Sequence, residues 1–282
     1  MPELPEVETI KNELLPWVLG QSFTQVSILD AKVVSGGAAE EFRRGLIAQR
    51  VESLERRGKY LLFNLASNQV LVMHFRMTGV LLLNPRALTP HARAVFHLSN
   101  GVQVVFSDRR RLGVMWLAGN ADAVVGKLGP EPLSEDFTPG ILAQRLSQHH
   151  IPIKAALLDQ SMVAGIGNMY ADEALFAAGI HPLRRADTLS AQEIQNLHSS
   201  IREVLWAAIG NKGASVDTYV RPEGELGTAH FNFKVAHRGG ETCPVCGTLI
   251  QRILVRNRGT YFCPRCQLLT SQMSLYDNHN LL

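Results

Sequence analysis

The sequence predicts an α+β protein in which an N-terminal helix and an antiparallel β-sandwich domain precede a helical domain and a C-terminal zinc β-hairpin. Three observations support this prediction. Apolar residues recur at helical spacing over the first 14 positions and then in short strand-like runs as far as residue 117. Helical spacing returns after a segment rich in proline and glycine. All four cysteines fall in two CxxC pairs near the end of the sequence.

The first helix is predicted at the start of the chain, where helical spacing relates Leu4, Val7, Ile10 and Leu14. Pro2 suits the first turn of a helix, because the N–H that proline lacks has no partner there. Acidic residues such as Glu6 favour the positive end of the helix dipole. This stretch by itself favours a structural role, namely a helix start.

The same residues also permit a catalytic interpretation. We expect Met1 to be removed because a small residue follows it, which would leave Pro2 with a free secondary amine. An α-amino group has a pKa of about 8, against about 10.4 for lysine, so more of it is neutral and nucleophilic at neutral pH. Such amines attack electrophilic carbons and form imines. Glu3 is adjacent and is a candidate general acid or base.

The strands are predicted next, and no long helix separates them. The strand-like segments are 22–29, 50–65 with a break at 56–58, 69–75, 94–98, 102–106 and 112–117. Ser99-Asn100-Gly101 is typical of a hairpin turn. Short strands without intervening helices indicate an antiparallel sandwich or flattened barrel rather than a parallel sheet.

A domain boundary is predicted at the proline- and glycine-rich segment 129–140. Helices are predicted beyond it at 141–147, 154–160, 169–178 and 190–209. Ser190 and Glu193 have the spacing of a capping box. We therefore expect a catalytic sandwich domain over 1–128, a helical domain over 129–231, a zinc finger over 232–268 and a tail over 269–282. Segment 211–230 has no regular pattern, which is typical of a functional or mobile loop.

Composition and charge exclude several classes of protein. The 282 residues are 46% hydrophobic and 19% charged, with a net charge of +3, which is an ordinary globular balance. Segment 232–268 holds six basic residues and one acidic residue, which indicates a phosphate-binding module. No secretory signal is seen and no apolar run is long enough to span a bilayer. We expect a cytoplasmic protein that does not bind membranes.

The cysteine pattern predicts one structural zinc ion. Cys243, Cys246, Cys263 and Cys266 form two pairs separated by 16 residues, which is typical of a four-cysteine site. A redox dithiol is the alternative that this spacing disfavours. Four thiolates leave no open position on the metal, which argues against a zinc-dependent hydrolase. Two strands between the pairs, near 249–255 and 259–262, would place the basic turn 256–259 at the tip of a hairpin, although such a turn can also be merely solvated.

Further candidates are weaker. The glycine-rich turn at 164–168 precedes a helix, for which Asn168 is a suitable N-cap, and Lys154 opens the preceding helix. An ordinary tight turn gives the same pattern. Lys59 enters a strand, where a lysine is more often a surface residue. Segment 108–113 holds three consecutive arginines suited to DNA backbone contacts, and Met77 could wedge into a base stack or simply pack.

Together these motifs resemble bacterial formamidopyrimidine-DNA glycosylase over nearly the whole chain. The matching segments are PELPEVET (2–9), GKYL (58–61), MTG (77–79), LGPEPL (128–133), GIGNMYADE (165–173) and the zinc ribbon. The resemblance implies a helix–two-turn–helix within the helical domain. It also implies a monomeric bifunctional repair enzyme that acts on double-stranded DNA with oxidised purines, chiefly 8-oxoguanine and formamidopyrimidines, and that flips the damaged nucleotide out of the stack.

The resemblance also implies roles for individual residues. The catalytic residues by family match are Pro2 as the Schiff-base nucleophile, Glu3 as acid/base, Lys59 as the proton-transfer residue of elimination and Arg258 as the finger arginine of the second elimination. The residues that match DNA contacts are Met77, His91, Arg111, His150, Lys154 and Asn168. The product would be a one-nucleotide gap flanked by phosphates.

The chain departs from the family pattern at three places. Leu112 stands where the family has a lesion-probing phenylalanine, and Asn257 stands where it has a glycine. Segment 224–229 replaces the usual Gly-x-Pro-Gly-Tyr-Phe of the lesion-capping loop. Two alternatives stay open at this point, namely a related glycosylase for oxidised pyrimidines and a non-catalytic zinc-ribbon protein that binds damaged DNA. The former typically has Pro-Glu-Gly where this chain has Pro2-Glu3-Leu4.

Overall fold

The structure, a computed structural model, describes residues 1–36 and 38–269. Nearly all of the predicted tail, residues 270–282, lies outside this part of the chain. The chain forms two compact units. The first holds Met1–Lys127 and Ala208–His230, and the second holds Leu128–Ala207 and the described residues from Phe231 onward.

The first unit contains the N-terminal helix and eight strands among its described residues. Its helices are α1 (Leu4–Val18), α2 (Ala39–Leu46) and α3 (Asp122–Val125), with a 3-10 turn at Ala31–Val33. Its strands are β1 (Phe23–Ile28), β2 (Val51–Arg57), β3 (Tyr60–Leu65), β4 (Val70–His74), β5 (Gly79–Leu83), β6 (Ala92–Leu98), β7 (Gln103–Asp108) and β8 (Val114–Ala118).

These strands form two four-stranded sheets with the orders β1-β6-β7-β5 and β2-β3-β4-β8. Every neighbouring pair is antiparallel. Apolar side chains from both sheets, such as Phe63 and Phe96, join Leu14 of α1 in one buried core. The predicted fold class, an N-terminal helix with an antiparallel β-sandwich, is confirmed.

Three elements of this unit, β5, α2 and α3, were not anticipated from the sequence. β5 begins at Gly79, directly after Met77 and Thr78, and pairs with β7. α2 lies between β1 and β2. It has only eight residues and buries only Phe42 and Leu46. All three carry weak local signals. β5 is a short apolar run that would also suit a buried helix, α2 follows two consecutive glycines, and α3 has only four residues.

The second unit is helical and ends in the predicted hairpin. Its elements are α4 (Pro139–Leu146), α5 (Ile153–Leu158), α6 (Asn168–Ala177), most of α7 (Ala191–Gly210), β9 (Gln251–Val255) and β10 (Arg258–Phe262). The predicted capping box of α7 is present. The Ser190 amide donates to Glu193 Oε2 at 2.8 Å, and the Glu193 amide donates to Ser190 Oγ at 3.3 Å. Within the described residues, no helix combines the length and apolar character needed to cross a bilayer.

Residues 213–228, which we call the docked loop, pack with the first unit, although the sequence suggests that they belong to the helical domain. The reason is the burial of Tyr219, which is only 3% exposed and joins the sandwich core. The neck of the loop is closed by backbone bonds from Thr228 to Asn211 and from Ala229 to Gly213, both 2.9 Å long.

Candidate functional site

The proposed nucleophile lies at the start of α1. Pro2 and Glu3 are both buried, and Glu3 is the N-cap residue of the helix. Glu6 Oε2 accepts a hydrogen bond from the Glu3 amide at 2.8 Å, as the Glu3–Glu6 spacing of a capping box allows. Arg56 of β2 donates to Glu8 of α1 at 2.7 Å and fastens the helix to the sheet. The structure therefore holds the first turn of α1 in a defined position.

Glu6 also links this turn to the docked loop. Its other oxygen, Oε1, accepts a hydrogen bond from the Ala214 amide at 2.8 Å. Glu6 is fully buried, so both of its contacts lie away from bulk water. The sequence interpretation treated Glu6 only as a helix-start residue, and nothing local to Glu6 points to a partner 208 positions away.

Lys59 lies in the tight β2–β3 turn, where Gly58 has a left-handed φ of +57°. Only 6% of Lys59 is exposed, which contradicts the expectation that a lysine entering a strand is a surface residue. Burial of a lysine is unusual and is typical of a functional environment.

His74 was missed by the sequence interpretation. It pairs with Tyr60 across β3 and β4, and the two rings meet edge-on with centroids 4.5 Å apart. Its Nδ1 accepts a hydrogen bond from the Arg76 amide at 3.1 Å. Burial, followed by the charges of Arg76 and Lys59, lowers the pKa of His74 to about 3, so the ring is neutral at physiological pH.

Asp108 organises the predicted arginine loop. Its buried carboxylate accepts hydrogen bonds from the amides of Arg110, Leu112 and Gly113 at 3.1, 2.8 and 2.7 Å. It also accepts from the Thr78 hydroxyl, which ties the turn that carries the half-buried Met77 to this loop. These bonds leave the Leu112 side chain exposed.

Arg111 is held by an acidic partner that the sequence did not indicate. Its φ is +58°, and its Nε donates to Asp30 Oδ2 at 2.5 Å. This bond holds the pKa of Asp30 below its usual range. Arg93 lies 4.0 Å from the same carboxylate. The side chain of Arg111 is still 47% exposed, and His91 is exposed as well.

In the second unit, Lys154 and Asn168 converge on one backbone carbonyl. Lys154 is fully buried, and its Nζ donates to Asp172 Oδ1 at 2.6 Å and to the Gly259 carbonyl at 3.3 Å. Asn168 Nδ2 donates to the same carbonyl at 2.9 Å. The expectation that Asn168 caps α6 is wrong, because the N-cap residue is Gly167 and the Asn168 side chain turns toward the hairpin.

Two consecutive carboxylates of α6 anchor the segment that carries the hairpin. Asp172 Oδ2 accepts from the Tyr261 amide of β10 at 3.1 Å. Glu173 accepts from the amides of Lys234, Val235 and Ala236 at 2.8–3.0 Å. Burial raises the pKa of both carboxyl groups, and it is opposed at Asp172 by the Lys154 charge and at Glu173 by the amide bonds.

Arg258 opens β10 and is exposed, next to a turn in which Arg256 and Asn257 adopt left-handed φ angles of +45° and +60°. His150 is also exposed. Its Nδ1 lies 2.7 Å from Asp187 Oδ2 and 3.2 Å from Arg185 Nη2. The structure thus brings Lys154 and Asn168 together beneath the hairpin, while His150 belongs to a separate polar cluster.

The four cysteines form one cluster. Their sulfur atoms all lie within 4.8 Å of one another, and the Cys243–Cys266 and Cys246–Cys263 sulfur separations are 3.8 and 3.4 Å. Zinc–sulfur bonds of about 2.3 Å in a tetrahedron place sulfurs about 3.8 Å apart. The cluster therefore fits one zinc ion with a closed coordination shell.

Comparison with known protein families covers most of the chain. Residues 1–115 match the formamidopyrimidine-DNA glycosylase N-terminal domain, and residues 128–220 match the H2TH domain of the same enzyme. Residues 240–268 match a zinc finger found in this enzyme and in isoleucyl-tRNA synthetase.

The chain belongs to the formamidopyrimidine-DNA glycosylase family.

Individual members of the formamidopyrimidine-DNA glycosylase family support this assignment. The enzyme of Symbiobacterium thermophilum is 44% identical over 281 residues, which cover 98% of this chain and 92% of that enzyme. The enzyme of Chloroflexus aurantiacus is 42% identical over 276 residues, which cover 96% and 99%. The predicted class, a DNA-binding repair glycosylase with a zinc finger and one structural zinc ion, is confirmed.

Solved structures of family members share the fold. A variant of the Lactococcus lactis enzyme, bound to DNA that contains Fapy-dG, superimposes with a TM-score of 0.89 at 35% identity, covering 95% of this chain and all of that one. The Lactococcus lactis enzyme bound to abasic-site DNA gives 0.88 at 34% identity and the same coverage. The Thermus thermophilus enzyme gives 0.87 at 40% identity, covering 94% and 98%.

Proposed function

We propose that this protein is a bifunctional DNA glycosylase/AP lyase that removes oxidised purines, chiefly 8-oxoguanine and formamidopyrimidines, from double-stranded DNA. The observation that carries the proposal is the buried Pro2-Glu3 pair at the first turn of α1, in a chain of this family. The complexes of the Lactococcus lactis enzyme with Fapy-dG DNA and abasic DNA support the same class of substrate.

The first chemical step uses the Pro2 amine after removal of Met1, which is exposed. The amine nitrogen bonds to C1′ of the flipped nucleotide, and the bond between C1′ and the base breaks. The base leaves with a proton. Glu3 protonates O4′ as the sugar ring opens, which gives an iminium ion between Pro2 and C1′. The buried setting of both residues excludes water that would compete with the amine.

Two eliminations follow from the iminium ion. Loss of a C2′ proton breaks the bond from C3′ to the 3′ phosphate, and loss of a further proton breaks the bond from C5′ to the 5′ phosphate. Lys59, buried in the β2–β3 turn, is proposed to move protons in the first elimination. Arg258, exposed at the start of β10, is proposed to bind phosphate and assist the second. Zinc takes no part in either step, because its four thiolate ligands leave no open position.

The DNA contacts are proposed to be shared between the units. Met77, His91 and Arg111 lie on turns of the first unit where they are at least partly exposed. In the second unit, Asn168 and His150 are accessible, whereas Lys154 is enclosed and is proposed to act through the Gly259 carbonyl rather than by touching phosphate in this conformation. We further propose that the protein acts as a monomer, which sedimentation analysis with and without DNA would test.

The decisive experiment is borohydride trapping on a duplex with one 8-oxoguanine, beside a duplex with an oxidised pyrimidine. Borohydride reduces the iminium ion to a stable protein–DNA adduct. We expect an adduct on the 8-oxoguanine strand that is much weaker for Pro2→Gly, and mass spectrometry of the wild type should show that Met1 is absent.

Two other outcomes would overturn the proposal in different ways. An adduct formed mainly on the pyrimidine duplex would indicate the sister specificity. Binding to both duplexes without any adduct would indicate a protein that recognises damaged DNA without cutting it.

A further inference from the structure

The docked loop is fastened to one face of α1 at two points. Glu6 and Glu13 are seven residues apart, so their side chains lie on the same face of the helix, two turns from each other. Glu6 Oε1 accepts from the Ala214 amide at the beginning of the loop. Glu13 Oε1 accepts from Arg221 Nε at 2.8 Å, and Arg221 Nη2 lies 2.7 Å from the same oxygen.

The segment between the two fastening points packs against the sandwich. Tyr219 enters the sandwich core, and its hydroxyl donates to the Lys212 carbonyl at 3.2 Å. Burial, with the charges of Glu6 and Glu13, raises the pKa of Tyr219 above its usual range. The Pro222 carbonyl accepts from the Leu83 amide of β5 at 2.7 Å.

The backbone is tightly packed at both ends of the docked loop. Gly213 has a φ of +77°, and a Cβ there would lie 3.0 Å from Glu6 Oε1 and from the Tyr219 ring. A Cβ on Gly227 would lie 2.3 Å from the carbonyl oxygen of Gly213. The loop therefore has one tightly defined docked arrangement.

This arrangement places the loop beside the proposed chemistry. A single carboxylate, that of Glu6, accepts from both Glu3 and Ala214. Farther along, the Thr218 hydroxyl donates to the Met77 carbonyl at 3.4 Å, and Asp217 lies 3.9 Å from Arg109 of the arginine loop. A nucleotide held with its sugar at Pro2 would therefore have its base next to the docked loop.

We propose that Glu13 and Arg221 are positioning residues that hold the docked loop against the base of the target nucleotide, so that they determine the preference for a base-bearing lesion over an abasic site. The proposal rests on the proposed function. An abasic site has no base for the loop to contact, so its incision depends less on the loop. Without the Glu13–Arg221 bond the loop is less ordered in the free protein. Each binding event must then order the loop around the base, at a cost in conformational entropy.

The test compares Glu13→Gln with Glu52→Gln. Glu52 of β2 accepts from Nε and Nη2 of Arg50, the same two nitrogens that Glu13 binds on Arg221, but it lies outside the docked loop. The measurements are single-turnover rates of 8-oxoguanine excision and of incision at an abasic site. Loss of a charge-assisted hydrogen bond should lower the ratio of the two rates on the order of tenfold for Glu13→Gln. The ratio for Glu52→Gln should equal that of the wild type.

Hydrogen exchange gives a readout that is independent of activity. Amides of residues 214–225 should exchange faster in Glu13→Gln than in Glu52→Gln, while both variants keep the melting temperature of the wild type within a few degrees.

The possible failures are distinguishable. A wild type that cuts both substrates, with an unchanged ratio in Glu13→Gln, would overturn this inference and leave the proposed function standing. A wild type that cuts neither substrate would overturn the proposed function and this inference with it.

Discussion

His74 is a buried histidine near two cationic side chains. Arg76 and Lys59 both oppose its protonation, and burial opposes it more strongly. A neutral ring can keep Nδ1 as the acceptor of the Arg76 amide, which fixes the turn that leads to Met77. The geometry of that turn therefore depends on the protonation state of one side chain.

The pH dependence of stability should report this residue. An unfolded histidine has a pKa of about 6.5, whereas that of folded His74 is about 3. Between these values the unfolded chain binds a proton that the folded chain does not, so stability falls as the pH falls, by up to about 1.4 kcal/mol per pH unit from this residue. In His74→Asn the amide oxygen can still accept from Arg76, but the titration is lost. The free energy of unfolding, measured with urea from pH 6.5 to 4, should change less steeply with pH in the variant than in the wild type. Identical pH dependences would refute this role of His74.

Single lysines show where sequence reasoning reaches its limit. The motif match identified Lys59 and Lys154 as candidates, but the sequence around Lys59 predicts a surface position and the sequence around Lys154 does not indicate its burial. Both are buried, and Lys154 is neutralised by Asp172, which lies 18 residues later on another helix. Burial of a charge depends on a partner brought close by the fold, and local spacing carries no information about that partner.

At the scale of elements, α6 combines two functions. Its first residue, Asn168, faces the hairpin, and its middle carries Asp172 and Glu173, which anchor β10 and the segment leading to the zinc site. The position of Arg258 at the start of β10 thus depends on hydrogen bonds from α6, together with the bond from Lys154 of α5 to the Gly259 carbonyl.

Removing the Glu173 carboxylate should loosen this anchor. Glu173→Ala leaves three amides, including those of the buried Val235 and Ala236, without an acceptor. Each unsatisfied buried amide costs about 1–3 kcal/mol, so we expect a destabilisation of about 3 kcal/mol or more by chemical denaturation. Glu241→Gln, which removes a mostly exposed partner of Arg238, is the matched control and should change stability by less than about 1 kcal/mol. A Glu173→Ala variant as stable as this control would contradict the anchoring role.

The elements that the sequence predicted well are those with strong local signals. The turn at Ser99-Asn100-Gly101 was located correctly because Gly101 supplies the left-handed φ of +82°. The long α7 was located from its capping box and apolar face. In contrast, β5 and α2 lack such signals, and Asn168 was misassigned as a cap because its side chain is taken by Gly259, 91 residues away.

At the scale of the whole molecule, one structural zinc ion stabilises the C-terminal hairpin. The hairpin between the cysteine pairs has a small core, which includes Cys243, Ile250 and Cys263. Structural zinc contributes on the order of 10 kcal/mol to the folding of such modules.

Chelation of zinc, or Cys246→Ser, should therefore unfold the hairpin. We expect rapid hydrogen exchange over residues 240–268, unchanged protection in β2 to β4, and at least tenfold weaker DNA binding by fluorescence anisotropy, because the basic hairpin would lose its fixed shape. Re-addition of zinc should restore binding to the chelated protein. Full DNA affinity in Cys246→Ser would refute the structural role of the metal.

The path of the chain between the two units was not readable from the sequence. The first segment of the first unit ends at Lys127, just before the proline- and glycine-rich segment 129–140. The return of Ala208–His230 to the first unit depends on Tyr219 and Ala214 meeting α1, and these contacts join residues about 200 positions apart. Composition alone marks this stretch only as an irregular loop.

This return has a consequence for how the protein is made. Residues emerge from the ribosome in order, so when the eighth strand has been synthesised the sandwich still lacks Tyr219, and Glu6 still lacks the Ala214 amide. Both arrive only after nearly all helices of the other unit have emerged. The first unit therefore cannot complete its folding while only its first segment has been synthesised. No uninterrupted stretch of the gene encodes this unit.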